Sequence, residues 1–305
     1  MELRARSSLI TRTVPVILNG RAGGGQARQS AEALRRVFDE AGLEAELTTP
    51  RPGEDLREVA RELMRERPPV LAVAGGDGTV SSVADVVRDT GTALAIVPAG
   101  TANHFARDLG LPLDAAEAAR LVAQGRTVRV DVGELNGSSF INNASLGLYP
   151  KIVRERAQLQ RRFGRSKRAA MLWGTLAVLD RSPLVDLRLE LDDRVLDCRA
   201  PFVFVGNNDY VLEGFAIGSR ERLDAGKLNV YTTRCFTAGG LLGLALRALV
   251  GRLRQADDFM EAEVRSLRVQ SRYRRILVAT DGEVRVMETP LEFRSRPRSL
   301  QVIVP

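Results

Sequence analysis

The sequence predicts an N-terminal α/β domain with a doubly wound, mainly parallel sheet, followed by a β-rich, sandwich-like domain. Before residue 128, short apolar runs alternate with stretches whose apolar residues recur at helical spacing, which is typical of a parallel sheet covered by helices. After that point helical patterns become scarce, and strand-like segments such as VRVDVGEL, APFVFVGN and RILVATDG predominate. We therefore place the first domain at residues 1–129 and the second at 130–287.

The first domain is predicted to alternate strands with helices. Apolar runs predict strands at residues 14–18, 43–47, 70–74 and 93–97. Apolar residues at helical spacing predict helices at residues 30–41 and 56–64, from residue 80 onward, near 101–108 and at 114–124.

A glycine-rich turn with the sequence GGDGT, residues 75–79, follows the strand at 70–74 directly and precedes a helix that begins at Val80. This order suits a phosphate group, because glycine lets backbone N–H groups approach an anion and a helix N-terminus adds positive potential. The carboxylate of Asp77 would repel phosphate unless a cation lay between them. Asp77 therefore indicates Mg²⁺ that bridges the protein and a nucleotide.

A second turn of this kind follows the strand at 93–97, where residues 98–103 have the sequence PAGTAN. Each turn alone is equally well explained as an ordinary tight turn of an α/β sheet. Together they place Asp77, Thr79, Thr101 and Asn103 at the carboxyl ends of strands, which is where open α/β sheets bind ligands. The pair of turns therefore favours a nucleotide site.

GGDGT, followed about 20 residues later by PAGTANHFARDLGLP, resembles the diacylglycerol kinase catalytic domain family, which includes sphingosine, ceramide and bacterial lipid kinases. GGDGT alone also resembles turns of NAD kinases and phosphofructokinases, whereas GTAN-x-FAR-x-LG separates the lipid kinases from both. The resemblance implies transfer of the γ-phosphoryl group of ATP, with Mg²⁺, to a hydroxyl of a lipid such as diacylglycerol. It also implies that the tail, 288–305, returns to the first domain.

The resemblance implies nucleotide contacts beyond the two turns. Asn19 opens the sequence NGRAGGG, which resembles the family's Asn-Pro-x-x-Gly nucleotide loop, although its glycines alone would indicate a flexible turn. Thr49, with Gly53, matches a family threonine that contacts nucleotide, and a strand end or helix cap explains Thr49 as well. The nucleotide-binding residues implied by the resemblance are Asn19, Thr49, Gly75, Gly76, Asp77, Gly78, Thr79, Thr101, Asn103 and Glu283.

The candidate general base is Asp281, in the sequence TDGE that follows a predicted strand at 275–279. Asp-Gly is a common hairpin turn, and the residues alone favour that interpretation. The family carries Asp-Gly-Glu here, so the resemblance implies that Asp281 takes the proton of the lipid hydroxyl while Glu283 contacts nucleotide or metal. It also implies that Asp131 supports the metal site of Asp77, although a polar strand end explains Asp131 equally well.

The chain departs from the family pattern at several positions. Ser81 and Ser82 replace an Asn-Glu pair, and His104 replaces an aspartate that helps to hold Mg²⁺ in the family. In a later segment Ala225 replaces the aspartate that binds a structural Mg²⁺ in bacterial members, and Lys227 supplies a positive charge nearby. We expect this structural metal site to be absent, and we still favour an active kinase with altered specificity.

Charge and apolar patterning bear on the partners. The 305 residues carry a net charge of +7, which favours an anionic partner. Residues 151–173 and 238–255 combine basic and apolar side chains, as expected of elements that bind an anionic membrane surface, although a solvated face and a core helix are the alternatives. Nucleic-acid binding is not predicted, since no recognition motif accompanies the charge.

The sequence therefore predicts an ATP-dependent, Mg²⁺-requiring lipid kinase that is cytoplasmic and peripherally associated with the membrane. No apolar run reaches the roughly 20 residues that span a bilayer. A kinase of a soluble substrate, similar to NAD kinase, is the first alternative, because it shares GGDGT. A catalytically silent protein that binds nucleotide or anionic membrane is the second, because of His104 and Ala225. A homodimer is left open.

Overall fold

A computed structural model of the chain describes residues 13–19, 27–147, 184–211, 218–233 and 259–305, together with residues 239, 240, 243 and 247. The chain forms two compact units. Unit 1 comprises Met1–Val132 and Pro297–Pro305, and unit 2 comprises Gly133–Arg296. Residues 288–296, which the sequence assigned to the first domain, belong to unit 2, because the first part of the last strand pairs there.

Unit 1 alternates strands and helices, as the apolar patterns predict. Its elements are β1 (Thr13–Leu18), α1 (Ala27–Glu40), β2 (Glu44–Thr48), α2 (Leu56–Leu63), β3 (Val70–Gly75), α3 (Asp77–Val87), β4 (Ala93–Pro98), α4 (His104–Asp108) and α5 (Ala115–Gln124). A single 3-10 turn, Met64–Glu66, follows α2. Two further strands, β5 (Arg126–Leu135) and β16 (Leu291–Val304), contribute residues to both units.

Five strands of unit 1 pair in parallel in the order β2-β1-β3-β4-β16, and β5 also pairs with β16. The register aligns Val16 with Ala72 and Ala74 with Val97. Every residue of β3 and β4 is buried, which explains why the sequence shows unbroken apolar runs there. Parallel pairing brings the carboxyl ends of β1, β2, β3 and β4 to one edge of the sheet.

Both faces of this sheet are covered. One face packs against α1 and α5 through a cluster that includes Val16, Phe38 and Val122. Alternate strand residues such as Leu71 and Ile96 lie on the opposite face and are also buried. The predicted α/β domain with a mainly parallel sheet is therefore confirmed.

Unit 2 consists of antiparallel strands in its described part. Beside its share of β5 and β16, its strands are β6 (Ser138–Phe140), β7 (Asn143–Gly147), β8 (Val185–Leu191), β9 (Arg194–Ala200), β10 (Phe202–Asn207), β11 (Leu228–Thr233), β12 (Phe259–Val264), β13 (Ser266–Ser271), β14 (Arg275–Thr280) and β15 (Glu283–Glu288). One sheet has the order β16-β13-β8-β9, and the other has the order β12-β11-β10-β7-β14-β15. Apolar side chains from both sheets, among them Leu146, Leu189, Val203 and Phe293, form one core, which confirms the predicted sandwich.

Four helices begin at other residues than the sequence indicated. Helix α1 begins at Ala27, three residues before the predicted start, and α5 begins at Ala115, one residue after it. The differences at α3 and α4 concern the two turns. The GGDGT segment is predicted as a turn over residues 75–79, but α3 already begins at Asp77, with Gly76 as its N-cap. An acidic residue in the first turn favours this earlier start. The helix predicted near residue 101 begins only at His104, because Asn103 has a φ of 50°, which is not helical.

Candidate functional site

The turns after β3 and β4 are joined by the side chain of Asp77. Its carboxylate accepts hydrogen bonds from the backbone N–H groups of His104 (3.1 Å) and Phe105 (3.0 Å). These two residues open α4, so a carboxylate from the first turn caps the helix that follows the second. The two turns that the sequence singled out therefore lie side by side.

The backbones of the two turns are also in contact. A Cβ atom placed on Gly100 would lie 2.5 Å from the Cα atom of Gly76 and 2.8 Å from Oδ1 of Asn103. The φ of Gly76 is −93°, a value that any residue can adopt, so the close approach is what requires glycine here. Side chains at either position would push the two turns apart.

Asn19, which directly follows β1, contacts the first of these turns. Its Nδ2 atom donates a hydrogen bond to Oγ1 of Thr79 at 2.7 Å, and its backbone N–H donates to the carbonyl of Ala74 at 3.0 Å. A Cβ atom on Gly75 would lie 2.6 Å from Cβ of Thr79, so glycine leaves the space that this buried threonine occupies. The structure thus brings together Asn19, Gly75 and Thr79, all of which are predicted nucleotide-binding residues.

Asn103 holds the second turn closed. Its Oδ1 atom accepts from the backbone N–H of Gly100 at 3.0 Å, and its Nδ2 atom donates to the carbonyl of Gly100 at 2.9 Å. The left-handed backbone of Asn103 is a conformation that asparagine tolerates better than most residues. Asn103 therefore shapes the turn, and its nucleotide contact stays a prediction.

Two predicted threonines lie at the same edge of the sheet. Thr49 directly follows β2, whose last residue, Thr48, pairs with Ile17 of β1. Thr101 lies in the bend that follows β4, and both threonines are exposed. Their positions at the carboxyl ends of two strands of the same parallel sheet fit the predicted contacts with nucleotide, as does Gly78 in the first turn of α3.

The N-terminus of α3 suits a phosphate that is bound together with Mg²⁺. The N-cap is Gly76, so no side chain caps the first turn from that position. Magnesium is commonly held by one or two carboxylates plus substrate phosphates and waters, and Asp77 supplies such a carboxylate. The described residues contain no group of three or more His, Cys, Asp or Glu side chains that could hold a metal ion by itself, here or elsewhere. The donor set therefore fits a metal that is completed by nucleotide phosphates.

Asp131 and His104 have neighbours that the sequence did not reveal. Asp131, on β5, is 1% exposed, and its Oδ1 atom accepts from the backbone N–H of Arg298 at 2.8 Å. Arg298 has a φ of 51°, so this hydrogen bond supports a sparsely populated backbone conformation. The metal role of Asp131 stays a prediction. The side chain of His104 is exposed, and its backbone N–H is what contacts Asp77.

In unit 2, Asp281 lies in the hairpin turn between β14 and β15. Asp281 and Gly282 have φ values of 47° and 85°, and Thr280 pairs with Glu283 across the turn, which is the geometry of a two-residue hairpin loop. The hairpin interpretation of Asp-Gly is therefore correct. It leaves the catalytic interpretation open, because a turn residue can also present its side chain to a substrate.

The carboxylate of Asp281 is held by three backbone N–H groups of one neighbouring segment. Oδ2 accepts from Ile141 at 2.8 Å, and Oδ1 accepts from Asn142 at 2.8 Å and from Asn143 at 3.1 Å. The backbone N–H of Asp281 donates in return to the carbonyl of Asn143 at 2.9 Å. These bonds fix the orientation of the carboxylate, and its role as general base stays a prediction.

Glu283, the other family position of this hairpin, is exposed. Its Oε2 atom accepts a hydrogen bond from Nη2 of Arg285 at 2.7 Å. This pair lies on β15, at the edge of its sheet. The proposed contact of Glu283 with nucleotide or metal stays a prediction.

The segment that departs from the family's structural metal site contains an ion pair. The ammonium group of Lys227 pairs with the carboxylate of Glu263 on β12, and the backbone N–H of Ala225 donates to Oδ1 of Asn208 at 3.0 Å. The carboxylate of Glu263 is thus paired with a lysine, whereas a Mg²⁺ site requires several oxygen ligands. The residues here do not fit a structural Mg²⁺.

Tyr231, whose side chain is buried, lies beside this segment in a hydrogen-bond network. Its hydroxyl donates to Oδ1 of Asp209 at 3.0 Å and accepts from the backbone N–H of Tyr210 at 3.2 Å. Burial, with a further contribution from the charge of Asp209, raises the pKa of Tyr231 above its ordinary value.

The membrane-related expectations concern parts of the chain that the structure largely leaves undescribed. Segment 151–173 lies outside the described residues, as does most of segment 238–255. In the part of the chain that is described, no helix has both the length and the apolar character to cross a membrane.

Comparison with known proteins accounts for both units. Residues 13–135 match the family model of the diacylglycerol kinase catalytic domain, and residues 147–304 match that of the YegS C-terminal NAD kinase beta sandwich-like domain. The chain belongs to the diacylglycerol kinase catalytic domain family. The resemblance inferred from GGDGT and GTAN is thereby confirmed.

Relatives in this family carry related names. A protein of Chromohalobacter salexigens named "Probable lipid kinase YegS-like" is 32% identical over 228 residues, which cover 73% of this chain and 71% of the relative. A diacylglycerol kinase of Staphylococcus saprophyticus is 31% identical over 195 residues, or 63% of each chain. A Pseudomonas aeruginosa protein with the YegS-like name is 38% identical over 143 residues, and the chain spans only 46% of the length of that relative.

Solved structures agree with the fold. The crystal structure of a diacylglycerol kinase from Bacillus anthracis superposes with a TM-score of 0.71 at 21% identity, and covers 96% of this chain and 97% of that one. Another crystal structure from the same organism gives a TM-score of 0.76 at 23% identity. At these identities the similarity shows that the family fold is shared.

Proposed function

We propose that the protein is a Mg²⁺-dependent lipid kinase that transfers the γ-phosphoryl group of ATP to a hydroxyl group of a lipid such as diacylglycerol. Membership in the family, and relatives named lipid kinase and diacylglycerol kinase, support this reaction class. The acceptor lipid is proposed by analogy with those names.

The observation that carries the proposal is the bond between Asp77 and the N-terminus of α4. It ties GGDGT to the second turn at the carboxyl edge of a parallel sheet, where such sheets bind ligands. The contact of Gly76 with Gly100 holds both backbones together. Two turns that served only to reverse the chain would need neither the shared carboxylate nor the paired glycines.

In this proposal the residues of unit 1 bind and orient the nucleotide. The N–H groups at the start of α3 would hold phosphate oxygens, and Asn19, Thr49 and Thr101 would contact phosphate or ribose. Magnesium, when bound, would neutralise charge on the phosphate oxygens. Because the transition state of phosphoryl transfer is loose, positioning and charge neutralisation are the main requirements of the protein. Asp77 would be the protein ligand of the metal, with Asp131 supporting it.

The residues of unit 2 would prepare the hydroxyl group of the acceptor lipid for attack on the γ-phosphorus. The hydroxyl oxygen of the lipid forms the new bond to the γ-phosphorus, the bond from that phosphorus to the β,γ-bridging oxygen breaks, and ADP leaves. Asp281 would accept the hydroxyl proton at its carboxylate, and the clamp of backbone N–H groups would hold that carboxylate in one orientation. Glu283 would contact nucleotide or metal.

The lipid would be taken from an anionic membrane surface. The net charge of +7 and the basic, apolar composition of segment 151–173 support peripheral association of a cytoplasmic protein. A homodimer is compatible with this arrangement and is not required by it.

A soluble acceptor such as NAD is the second candidate. It is favoured by one finding, the match of residues 147–304 to a domain described as NAD kinase beta sandwich-like. The GTAN-x-FAR-x-LG segment and the names of the relatives favour the lipid.

The proposal is tested by transfer of radiolabelled γ-phosphate from ATP, in the presence of Mg²⁺, to a total lipid extract and, separately, to NAD. We expect label in one lipid class and none on NAD. Label on NAD alone would establish the second candidate. A folded, ATP-binding protein that labels neither acceptor would contradict kinase activity and favour a silent binder.

A further inference from the structure

The peptide group between Ile141 and Asn142 lies between two charged side chains. Its N–H, which belongs to Asn142, donates to Oδ1 of Asp281 at 2.8 Å. Its carbonyl, which belongs to Ile141, accepts from Nη1 of Arg220 at 2.7 Å. One peptide unit of unit 2 therefore connects a carboxylate to a guanidinium group.

Arg220 is buried and holds this segment at several points. It is 5% exposed, although it lies in a loop beside Glu221 and Arg222, where an arginine would be expected at the surface. Its Nη2 atom donates to Oδ1 of Asn142 at 2.8 Å, its Nη1 atom donates also to the carbonyl of Asn207 at 3.1 Å, and its guanidinium lies over the ring of Tyr210 at 5.4 Å. These contacts use the planar fork of arginine, which lysine lacks.

All six backbone polar groups of residues 141–143 are hydrogen-bonded within unit 2. The three N–H groups reach Asp281, and the carbonyl of Asn143 accepts from its backbone N–H. The carbonyl of Asn142 accepts from the backbone N–H of Asn207, and that of Ile141 accepts from Arg220 and from Nδ2 of Asn207. The segment is thus a rigid link whose position fixes that of the Asp281 carboxylate.

The charges on the two sides act on this link in the same direction. A peptide dipole is stabilised when its N–H faces a negative charge and its carbonyl faces a positive one. Chains of hydrogen bonds polarise one another, so the bond from Arg220 strengthens the N–H that faces Asp281. Loss of the guanidinium would weaken and misalign the donor on which the carboxylate orientation depends.

The hairpin at Asp192 provides an internal comparison. Its carboxylate accepts from the backbone N–H groups of Arg265 at 3.0 Å and Ser266 at 2.8 Å, as that of Asp281 does with residues 141–143. The carbonyl of the peptide group between Arg265 and Ser266 accepts from the backbone N–H of Ser295 at 2.9 Å. The same clamp is thus built with a neutral N–H behind the peptide, and the hairpin alone does not require a buried cation.

We infer that Arg220 is a positioning residue that acts on Asp281 through the Ile141–Asn142 peptide group. This inference rests on the proposed function, in which the Asp281 carboxylate accepts the proton of the lipid hydroxyl. Arg220 itself contacts neither the acceptor nor the nucleotide in this account. Its effect is to hold the base where the proton is to be taken.

The kinetic test compares Arg220→Met with Arg222→Met. Arg222 lies two residues away, is exposed and pairs with Asp224, so its removal controls for loss of a cation from the same segment. We expect Arg220→Met to lower kcat about 10- to 100-fold, as loss of a group that orients a catalytic group typically does, with the KM for ATP within about twofold of the parent. Arg222→Met should retain the parental kcat.

A double variant separates positioning from general damage. If Arg220 acts only through Asp281, Arg220→Met should lower kcat no further once Asp281→Asn is present. Multiplicative losses in the double variant would contradict the inference, as would a parental kcat in Arg220→Met. Arg220→Lys, which keeps the charge but loses the fork, should give an intermediate kcat, and serves as the test if Arg220→Met does not fold.

Amide hydrogen exchange at Asn142, followed by NMR, tests the link without any reference to activity. Arg220→Met should accelerate exchange at Asn142 well beyond any change at the equivalent Ser266 amide. Unchanged exchange at Asn142 in the folded variant would overturn the inference. If the parental protein shows no kinase activity, the proposed function fails and with it the effect of Arg220 on turnover, whereas the exchange data still decide whether Arg220 positions the backbone N–H groups that hold Asp281.

Discussion

Asp281→Asn is the substitution for which the hairpin and the catalytic interpretations of the sequence differ most. Asparagine suits a two-residue hairpin turn, so the turn itself should tolerate it. We nevertheless expect the substitution to lower the stability of the folded protein, because of the contacts of this carboxylate. An amide has one acceptor oxygen, whereas both carboxylate oxygens accept N–H bonds here, so the N–H of Ile141 or those of Asn142 and Asn143 would face an NH₂ group.

The expected loss of stability follows from that count. Leaving a partly buried donor unsatisfied costs about 1–3 kcal/mol in the free energy of unfolding. A general base contributes roughly 10²–10⁴-fold to turnover. Asparagine loses this contribution, because an amide cannot accept the hydroxyl proton. We therefore expect kcat to fall by about that factor, with ATP affinity retained, in a protein that remains folded at the assay temperature.

Asp192→Asn is the matched control. Its carboxylate clamps two backbone N–H groups in another hairpin of unit 2, so the variant removes a similar clamp without touching the proposed base. Unfolding in urea should show a loss of stability in both variants, smaller for Asp192 because that residue is more exposed. Turnover of the best lipid acceptor should fall only in Asp281→Asn. A decrease under about fivefold with normal ATP binding, or an equal decrease in Asp192→Asn, would refute the assignment of Asp281 as base.

Three further predictions concern the turn contact, acid stability and membrane binding. Gly100→Ala places a methyl group 2.5 Å from the Cα atom of Gly76 and should cost about 1–3 kcal/mol in stability and weaken ATP binding, measured by calorimetry. Burial raises the pKa of Asp192, but the N–H groups of Arg265 and Ser266 outweigh it and lower that pKa below 3.8. Its stabilising contribution is then full above pH 3.8 and is lost as the pH falls below it, so Asp192→Asn should flatten the acid limb of the stability curve. The protein should sediment with acidic vesicles, and added salt should weaken that association.

Each of these expectations has a control and a result that would contradict it. Gly239→Ala is the control for Gly100→Ala, because a Cβ atom on Gly239 meets nothing within 4 Å, and it should leave ATP affinity unchanged. If Gly100→Ala also left ATP affinity and stability unchanged, the argument from the contact between Gly100 and Gly76 would be wrong. An acid limb that is identical with and without Asp192 would show that its hydrogen bonds do not stabilise the folded state. Equal cosedimentation with neutral and acidic vesicles at low salt would contradict anion-dependent binding.

The parallel sheet could be predicted from the sequence because its signals are local. The runs at 70–74 and 93–97 are apolar throughout, and β3 and β4 are buried along their whole length. Helix starts were less accurate, since they depend on single backbone conformations. The start of α4 is set by the left-handed φ of Asn103. Asparagine adopts that conformation more readily than most residues, but only at some positions, so the sequence does not show where it occurs.

The residues of the site were identifiable from motifs, but their partners were not. Asp77 could be singled out as a carboxylate in a phosphate-type turn, yet its bonds to residues 104 and 105 arise from a contact between two separate turns. Nothing in the sequence indicated the role of Arg220, because an arginine in a loop beside other charged residues is typical of the surface. Its burial depends on contacts with Ile141 and Asn142, which lie 79 and 78 positions away in the sequence.

The most direct test of the central claim compares the variants Asp77→Asn and Asp114→Asn in Mg²⁺-dependent transfer of γ-phosphate. Asp114 caps α5 by accepting from the backbone N–H groups of Ala116 and Glu117, so its substitution removes the same charge from another helix N-terminus of unit 1. We predict that Asp77→Asn abolishes transfer while the protein stays folded, and that Asp114→Asn retains parental turnover. Near-parental turnover in folded Asp77→Asn would contradict the assignment of this carboxylate to the metal–nucleotide site, and with it the mechanism proposed for the chain.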